Sequence, residues 1–278
     1  MTAVYLDYNA TAAVRPEAVE AMTAALAAGG NASSVHAAGR AARARIEQAR
    51  ADVAALAGAP ASGVVFVSGG AEANSLALES ALAAGTRRLI VSATEHVTVL
   101  ETAKASAAAV DLLPVDAHGV ADLAWLAQRL AAWVPADGRP FVALMLANNE
   151  TGVIQPVAEA AALVRAAGGW LHVDAIQAAG KIPVDMAALG ADTLALSAHK
   201  LGGPQGAGAL IAGPGVTLTR RQHGGGQERG YRAGTENGPG IAGFGAAARA
   251  ACTTSMPLKP RPPGVTPPPD AWPTAAPW

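Results

Sequence analysis

A single cysteine, Cys252, among 278 residues rules out an intrachain disulfide and any cysteine-based metal cluster held by one chain. No excess of one charge exists either: 20 basic and 21 acidic residues nearly cancel, and no block of like charge occurs. That removes the electrostatic footprint of a nucleic-acid binder or of a protein drawn to an anionic membrane. The N-terminus, Met1-Thr2-Ala3-Val4-Tyr5-Leu6-Asp7, lacks a basic region followed by an apolar one. Charges break the Ala-rich stretches before they reach spanning length. The expectation is a soluble cytoplasmic protein with no membrane association. No repeat of solenoid length occurs, and no G-x-x-x-x-G-K-[ST] element, so nucleotide hydrolysis has no support. The run Gly238-Pro239-Gly240-Ile241-Ala242-Gly243 does match G-x-G-x-x-G. It is rejected as a dinucleotide fingerprint because no strand precedes it and the nearest suitable acid, Asp270, lies in a proline-rich stretch.

What the chain does have is apolar content: 51% hydrophobic and only 15% charged residues, enough for a full core in one large domain or one and a half. Helical periods at Pro16 to Ala28, Gly39 to Ala57 and Asp122 to Ala132 alternate with short apolar runs. Those runs are Val64 to Val67, Leu89 to Val91, Phe141 to Leu146, Leu171 to Val173 and Leu194 to Leu196. Runs without polar alternation belong to strands covered on both faces. An α/β fold follows, with a mostly parallel mixed sheet, helices on both faces, and ligands at the strands' carboxyl ends. The run Ala207 to Ile211 follows its predecessor too closely for a helical crossover and is read as an antiparallel neighbour. After Ala251 the composition changes: nine of nineteen prolines fall between Pro257 and Trp278. A disordered tail over 252–278 is expected.

Two strand ends carry the chemistry. Leu171-His172-Val173-Asp174 and Leu194-Ala195-Leu196-Ser197-Ala198-His199-Lys200 each deliver one ionisable residue where an apolar strand runs out. A carboxylate that holds a ring nitrogen protonated, together with a lysine that holds an aldehyde as a Schiff base, is what pyridoxal phosphate requires. A helix cap for Asp174 and a solvated loop charge for Lys200 are the plain alternatives. Ser68-Gly69-Gly70-Ala71 after Val64 to Val67 reads as a tight turn into a helix whose free amides suit a phosphate. Thr94-Glu95-His96 places a histidine above the same edge, able to stack on a planar ring or shuttle a proton. Asn148-Asn149-Glu150 closes the Phe141 strand with an amide available to a phenolic oxygen. The stretch His223 to Asn237, rich in glycine and cationic, reads as a flexible anion-binding loop.

In order along the chain, these motifs resemble the cysteine desulfurases, pyridoxal phosphate enzymes of the fold-type I, class V aminotransferase superfamily. The resemblance runs from Tyr5-Leu6-Asp7-Tyr8-Asn9-Ala10-Thr11 through Asn31-Ala32-Ser33-Ser34-Val35-His36 and the Ser68 turn. It continues through Thr94-Glu95-His96, Asn148-Asn149-Glu150, Val173-Asp174-Ala175-Ile176-Gln177, Ser197-Ala198-His199-Lys200 and Arg232-Ala233-Gly234-Thr235. It implies catalytic roles for Lys200, which would form the Schiff base and move protons, and for His96, which would stack on the ring. Asp174 would pair with the ring nitrogen, and Asn149 and Gln177 would contact the phenolic oxygen. Gly70, Ala71, Ser197, His199 and Thr235 would bind phosphate, Thr235 reaching the neighbouring subunit's phosphate in a homodimer. No metal is implied. The family reaction takes sulfur from L-cysteine onto a protein cysteine, leaving L-alanine and a persulfide that feeds iron-sulfur scaffold or sulfur-acceptor proteins.

The same resemblance divides the chain into an N-terminal segment over 1–15 that contributes to a small domain, a cofactor-binding large domain over 16–251, and the tail. Two departures from the family pattern stand out. Ala71 replaces a threonine hydroxyl on the phosphate, which should weaken cofactor binding by about 0.5 to 1.5 kcal/mol. The family chain also continues past this region into the small C-terminal domain with the sulfur-accepting cysteine. Here that domain is expected to be largely missing and sulfur transfer impaired, and Cys252 has no surrounding motif that would make it the substitute nucleophile. The alternatives are a selenocysteine lyase-like enzyme or a noncatalytic remnant that binds the cofactor or dimerises.

Overall fold

The computed structural model describes residues 4–254. Seven strands form one sheet: β1 (Val64–Val67), β2 (Arg88–Ser92), β3 (Ala109–Leu113), β4 (Phe141–Ala143), β5 (Trp170–Asp174), β6 (Thr193–Ser197) and β7 (Gly208–Ala212). Their spatial order is β1-β7-β6-β5-β4-β2-β3. β7 runs antiparallel to both of its neighbours, β1 and β6, and the remaining pairs are parallel. The strands β1, β2, β4, β5 and β6 therefore all end at one edge of the sheet, and the antiparallel placement of the Ala207 to Ile211 run is as expected.

Among the described residues eight helices cover the sheet: α1 (Pro16–Ala28), α2 (Ala37–Leu56), α3 (Gly70–Ala83), α4 (Val97–Ala105), α5 (Leu123–Ala131), α6 (Val157–Ala166), α7 (Met186–Leu189) and α8 (Gly238–Thr254). Their ends follow local chemistry. Pro16 opens α1, where a missing N–H costs nothing, and Gly29 closes it at φ 58°. The His36 ring accepts from the Gly39 amide, which starts α2 two residues before the periodicity does. Asp122 caps α5 by accepting from the Trp125 amide at 2.9 Å. Helix α8 runs through Thr254, so the first three residues of the expected tail are helical, and the rest of that tail lies outside the described residues.

Both faces of the sheet are dry except at the edge strand β3, where Leu112 is exposed. Successive residues of each strand point to opposite sides, so Val64 and Phe66 join a core with Val142, Leu171, Val173 and Leu196 under α1, α2, α5, α6 and α8. On the other face, Val65 and Val67, and Leu89, Val91, Phe141 and Trp170, pack beneath α3 and α4. Strand β4 is shorter than the apolar run Phe141 to Leu146 that encodes it. The run nevertheless stays extended, since the Leu144 and Leu146 amides still donate to His172 O and Asp174 O at 3.0 and 2.8 Å.

The glycine-rich stretch His223 to Asn237 is not free, contrary to its sequence. Its centre is pinned by an ion pair that is almost fully buried: Arg50 Nη1 and Nη2 reach the Glu228 carboxylate at 2.7 and 2.8 Å. Both side chains also serve β1, whose outer edge has no strand beside it. Arg50 Nη1 donates to Val64 O, and Phe66 N donates to Glu228 Oε2. This pairing satisfies an exposed sheet edge without a further strand. It holds Glu228 and Arg229 at φ 42° and 56°, a conformation that side chains resist.

Candidate active site

The carboxyl edge of the sheet opens into a cavity of about 270 Å³. Nine of the ten expected site residues line it: Gly70, Ala71, His96, Asn149, Asp174, Gln177, Ser197, His199 and Lys200, joined by Thr98, Met145 and Ile176. Thr235 does not. It lines a separate hollow between α1, α2 and the start of α8.

At one end, α3 points its free amides into the cavity from Gly70 and Ala71. A Cβ added at Gly70 would stand 2.2 Å from Ile176 Cδ1, so a larger residue there needs the Ile176 side chain to move. The acid in the first turn, Glu72, is occupied: it accepts from the Ser68 amide at 2.7 Å and pairs with Arg232 at 3.1 Å. Burial raises its pKa, but the Ser68 and Arg232 contacts outweigh that and hold it below the ordinary value. The helix terminus is thereby left for an external anion, beside the Ser197 hydroxyl.

Asp174 also lines the cavity, buried at the end of β5. It accepts from Asn74 Nδ2 at 2.8 Å and from the Ile176 amide at 2.9 Å. Burial pushes its carboxyl up, against the pull of those hydrogen bonds and of the His96 and Lys200 charges. Behind it runs a buried relay that the sequence did not disclose. Trp170 Nε1 meets Thr193 Oγ1 at 2.9 Å, Thr193 Oγ1 meets His172 Nδ1 at 3.0 Å, and His172 Nε2 meets Asn74 Oδ1 at 3.0 Å. The donor inventory fixes its direction. An indole N–H only donates, and both hydrogens of the Asn74 amide go to Asp174 and to Thr98 Oγ1. His172 must then donate from Nε2 and accept at Nδ1, so every bond in the relay points toward Asp174. Burial lowers the His172 value to about 3, which keeps the ring neutral. A second carboxyl, Glu95, is buried close by; burial first and the Asp174 charge second raise it well above the ordinary range. Its Oε1 accepts from the Met145 amide and its Oε2 has no partner.

Lys200 follows β6 through a single turn over Ala198–Lys200. Its Nζ donates to Asn9 O and, at 2.9 Å, to Ala10 O, so the N-terminal segment lies across the mouth of the cavity. Burial lowers its value, partly offset by Asp7, Asp174 and Glu150, which leaves more of the nucleophilic neutral amine than an exposed lysine has. Burial, with the Lys200 charge second, also lowers His199, whose ring contacts Thr11 Oγ1 at 3.2 Å. The His96 ring is exposed; its Nδ1 accepts from the Thr98 amide as the cap of α4, which leaves Nε2 to carry the proton. The sequence reading also missed Asn9 and Lys181, which tie Gln177 in place: Gln177 Nε2 donates to Asn9 O at 2.9 Å, and Lys181 donates to Gln177 Oε1.

Among the described residues no group of three or more His, Cys, Asp or Glu is arranged to hold a metal, and no helix is long and apolar enough to cross a membrane. Cys252, on α8, is exposed and outside the cavity lining. Burial and Asp52 raise its thiol, the opposite of nucleophile activation.

Known proteins resemble this chain in sequence and in fold. The chain is 44% identical to a cysteine desulfurase of Cereibacter sphaeroides over 259 residues, 90% of this chain and 66% of that protein. It is 44% identical over 268 residues to a cysteine desulfurase of Frankia sp. (strain EuIK1), 89% of this chain and 62% of the relative. It thus spans a little under two thirds of these curated relatives. Among solved structures, a NifS-like protein from Rickettsia africae superposes with a TM-score of 0.85 at 34% identity, covering 91% of this chain and 69% of that one. SspA, solved in complex with cysteine, superposes at 0.81 with 32% identity, covering 88% and 72%. The aminotransferase class-V family model matches residues 4–256. The chain therefore belongs to the class-V aminotransferase family, whose enzymes depend on pyridoxal phosphate.

Proposed function

We propose that this chain carries the cofactor half of a cysteine desulfurase, which takes sulfur from L-cysteine and leaves L-alanine. The observation that carries the reading is the single cavity that joins Lys200, Asp174, His96 and the start of α3. The residues present fit pyridoxal phosphate. Gly70 keeps the start of α3 clear of any side chain where it lines the cavity beside Ile176, and the free α3 amides want an anion. Asp174 carries no arginine or lysine bond and has only neutral donors in contact, which suits a ring N–H.

Gly70, Ala71 and Ser197 would hold the phosphate, with His199 beside them. Asp174 would keep a proton on the ring nitrogen, His96 would cover the ring and exclude water, and Asn149 and Gln177 would meet the phenolic oxygen. When bound, the cofactor supplies an electron sink for the pair released as the substrate's Cβ–S bond breaks. Lys200 Nζ would hold the aldehyde carbon and move the proton that ends on the alanine product. A thiolate must attack the sulfur, so that an S–S bond forms as the Cβ–S bond breaks. With the Cys252 thiol raised and outside the cavity, and no other cysteine in the sequence, that thiol is assigned to a group outside these 278 residues.

The domain reading goes with this one: residues 16–251 hold the cofactor, and 1–15 belong to the small domain while reaching the site through Asn9 and Ala10. A cytoplasmic homodimer that delivers sulfur to an iron-sulfur scaffold or other acceptor completes the reading. Apolar side chains left open at Leu6 (84% exposed), Leu26 (67%) and Val35 (88%) support a second copy. So does Thr235, which lines a separate hollow and not the cavity of its own chain. The test is alanine release from L-cysteine by the pyridoxal phosphate-loaded protein with dithiothreitol as external sulfur acceptor. Alanine formed by the wild type and lost in Lys200→Ala supports the reading. A faster reaction with selenocysteine and none with cysteine would replace it with a selenocysteine lyase.

A further inference from the structure

Lys181 is used by nothing in the reaction described, yet it is bonded to the amides at the mouth of the cavity. Its Nζ donates to Gln177 Oε1 and, at 3.1 Å, to Asn9 Oδ1. An ammonium has three donors and no acceptor, whereas an amide side chain can turn to offer either end. The far ends of both amides meet groups of the opposite kind. Gln177 Nε2 donates to the Asn9 carbonyl at 2.9 Å, and Asn9 Nδ2 donates to the Asn149 carbonyl at 2.9 Å. Backbone carbonyls only accept, so both amides are fixed from two sides, and Lys181 is the member common to both.

We infer that Lys181 is a positioning residue whose ammonium sets the orientation of the Gln177 and Asn9 amides, so that Gln177 offers an N–H to the cofactor's phenolic oxygen. The inference rests on the pyridoxal phosphate reading. Gln177 has two amide hydrogens; one is spent on Asn9 O, and the residue lines the cavity, where the second is available. Without Lys181 the Oε1 end loses its donor among the described residues, and the flipped amide would put an acceptor against an oxygen that is itself an acceptor. The local chain is built to deliver the contact. Gly180, at φ 76°, turns the segment after Gln177 so that Lys181 returns to it. The charged groups that face this region are Lys200, His199, Asp7, Asp174 and Glu150.

The test compares wild type, Lys181→Met and Lys181→Arg, each titrated with pyridoxal phosphate while the visible Schiff-base band is followed against pH. Arginine, also donor-only, should restore what methionine removes. Lys181→Met is expected to weaken cofactor binding about 2- to 12-fold, the equivalent of one hydrogen bond. It should also raise the pH midpoint of the band, because a phenolic oxygen without its outside donor bonds more strongly to the imine N–H. Thermal midpoints of the cofactor-free proteins check folding, and a purely structural role would move those and not the band midpoint. If the methionine variant does not fold, Lys181→Gln, whose amide can turn either way, should show a smaller loss with the same sign. Binding and midpoint unchanged in a folded variant overturn the inference while the function stands. A wild type with no lysine-dependent band overturns both.

Discussion

Thr193→Val is the sharpest test of the relay behind Asp174. Valine matches threonine in shape, so the change removes one hydroxyl and leaves the backbone of β6 alone. In the wild type that oxygen accepts from Trp170 Nε1 at 2.9 Å and meets His172 Nδ1 at 3.0 Å. Thr193 and His172 are fully buried and Trp170 is 2% exposed, so no bulk solvent replaces the lost partner. Two buried polar groups would be left unpaired, at about 1 to 3 kcal/mol each, for a loss of about 2 to 6 kcal/mol. Thr193→Ser keeps the hydroxyl and should cost about 1 kcal/mol through the missing methyl alone. Urea unfolding of the three cofactor-free proteins, analysed at fixed m-value, measures both. The cofactor's absorption gives a second readout, since the relay ends on Asp174. A valine variant within about 0.5 kcal/mol of the serine variant would refute the idea that the relay is a set of obligatory bonds.

Other expectations follow from single contacts. Glu228→Gln leaves the buried Arg50 charge uncompensated and should destabilise by about 3 to 5 kcal/mol in thermal or urea unfolding, with part recovered when Arg50→Met is added. His172 has a folded value of about 3 against the ordinary 6.5, so between those limits the unfolded chain binds the extra proton. Its contribution to stability is therefore full above about pH 6.5 and is lost as pH falls, by up to about 1.4 kcal/mol per unit, which unfolding from pH 7 to 4 should show as a slope that His172→Gln reduces. Ala71→Thr adds a hydroxyl beside the free α3 amides and should tighten pyridoxal phosphate binding about 2- to 12-fold in an equilibrium titration.

Strands β5 and β6 and the residues Asp174 and Lys200 are legible in sequence for one reason: a mainly apolar run that closes on an ionisable side chain marks a strand buried on both faces that ends at a site. The same reason explains the misreadings. His172 sits inside such a run, and its partner Asn74 is 98 positions away, so nothing local signals the relay. The contact of Lys181 with Asn9 spans 172 positions, and a lysine after a glycine reads as a solvated turn. Glu228 looks like one more charge in a flexible loop because Arg50, which buries it, belongs to a helix 178 residues earlier. Strand β3 escaped because Asp111 interrupts its apolar residues; that carboxylate faces Arg88 and Arg129 at the sheet's edge. Local pattern finds elements and the ends of strands, whereas polar pairs that close over long stretches of chain need the folded geometry.

The central claim is that Lys200 and Asp174 grip a single pyridoxal phosphate in this cavity. The most direct measurement is the visible absorption spectrum of the purified protein mixed with the cofactor, beside Lys200→Ala. A Schiff-base band in the wild type that is absent from the variant is the predicted result. A wild type without the band, or a band of equal strength in Lys200→Ala, would contradict it.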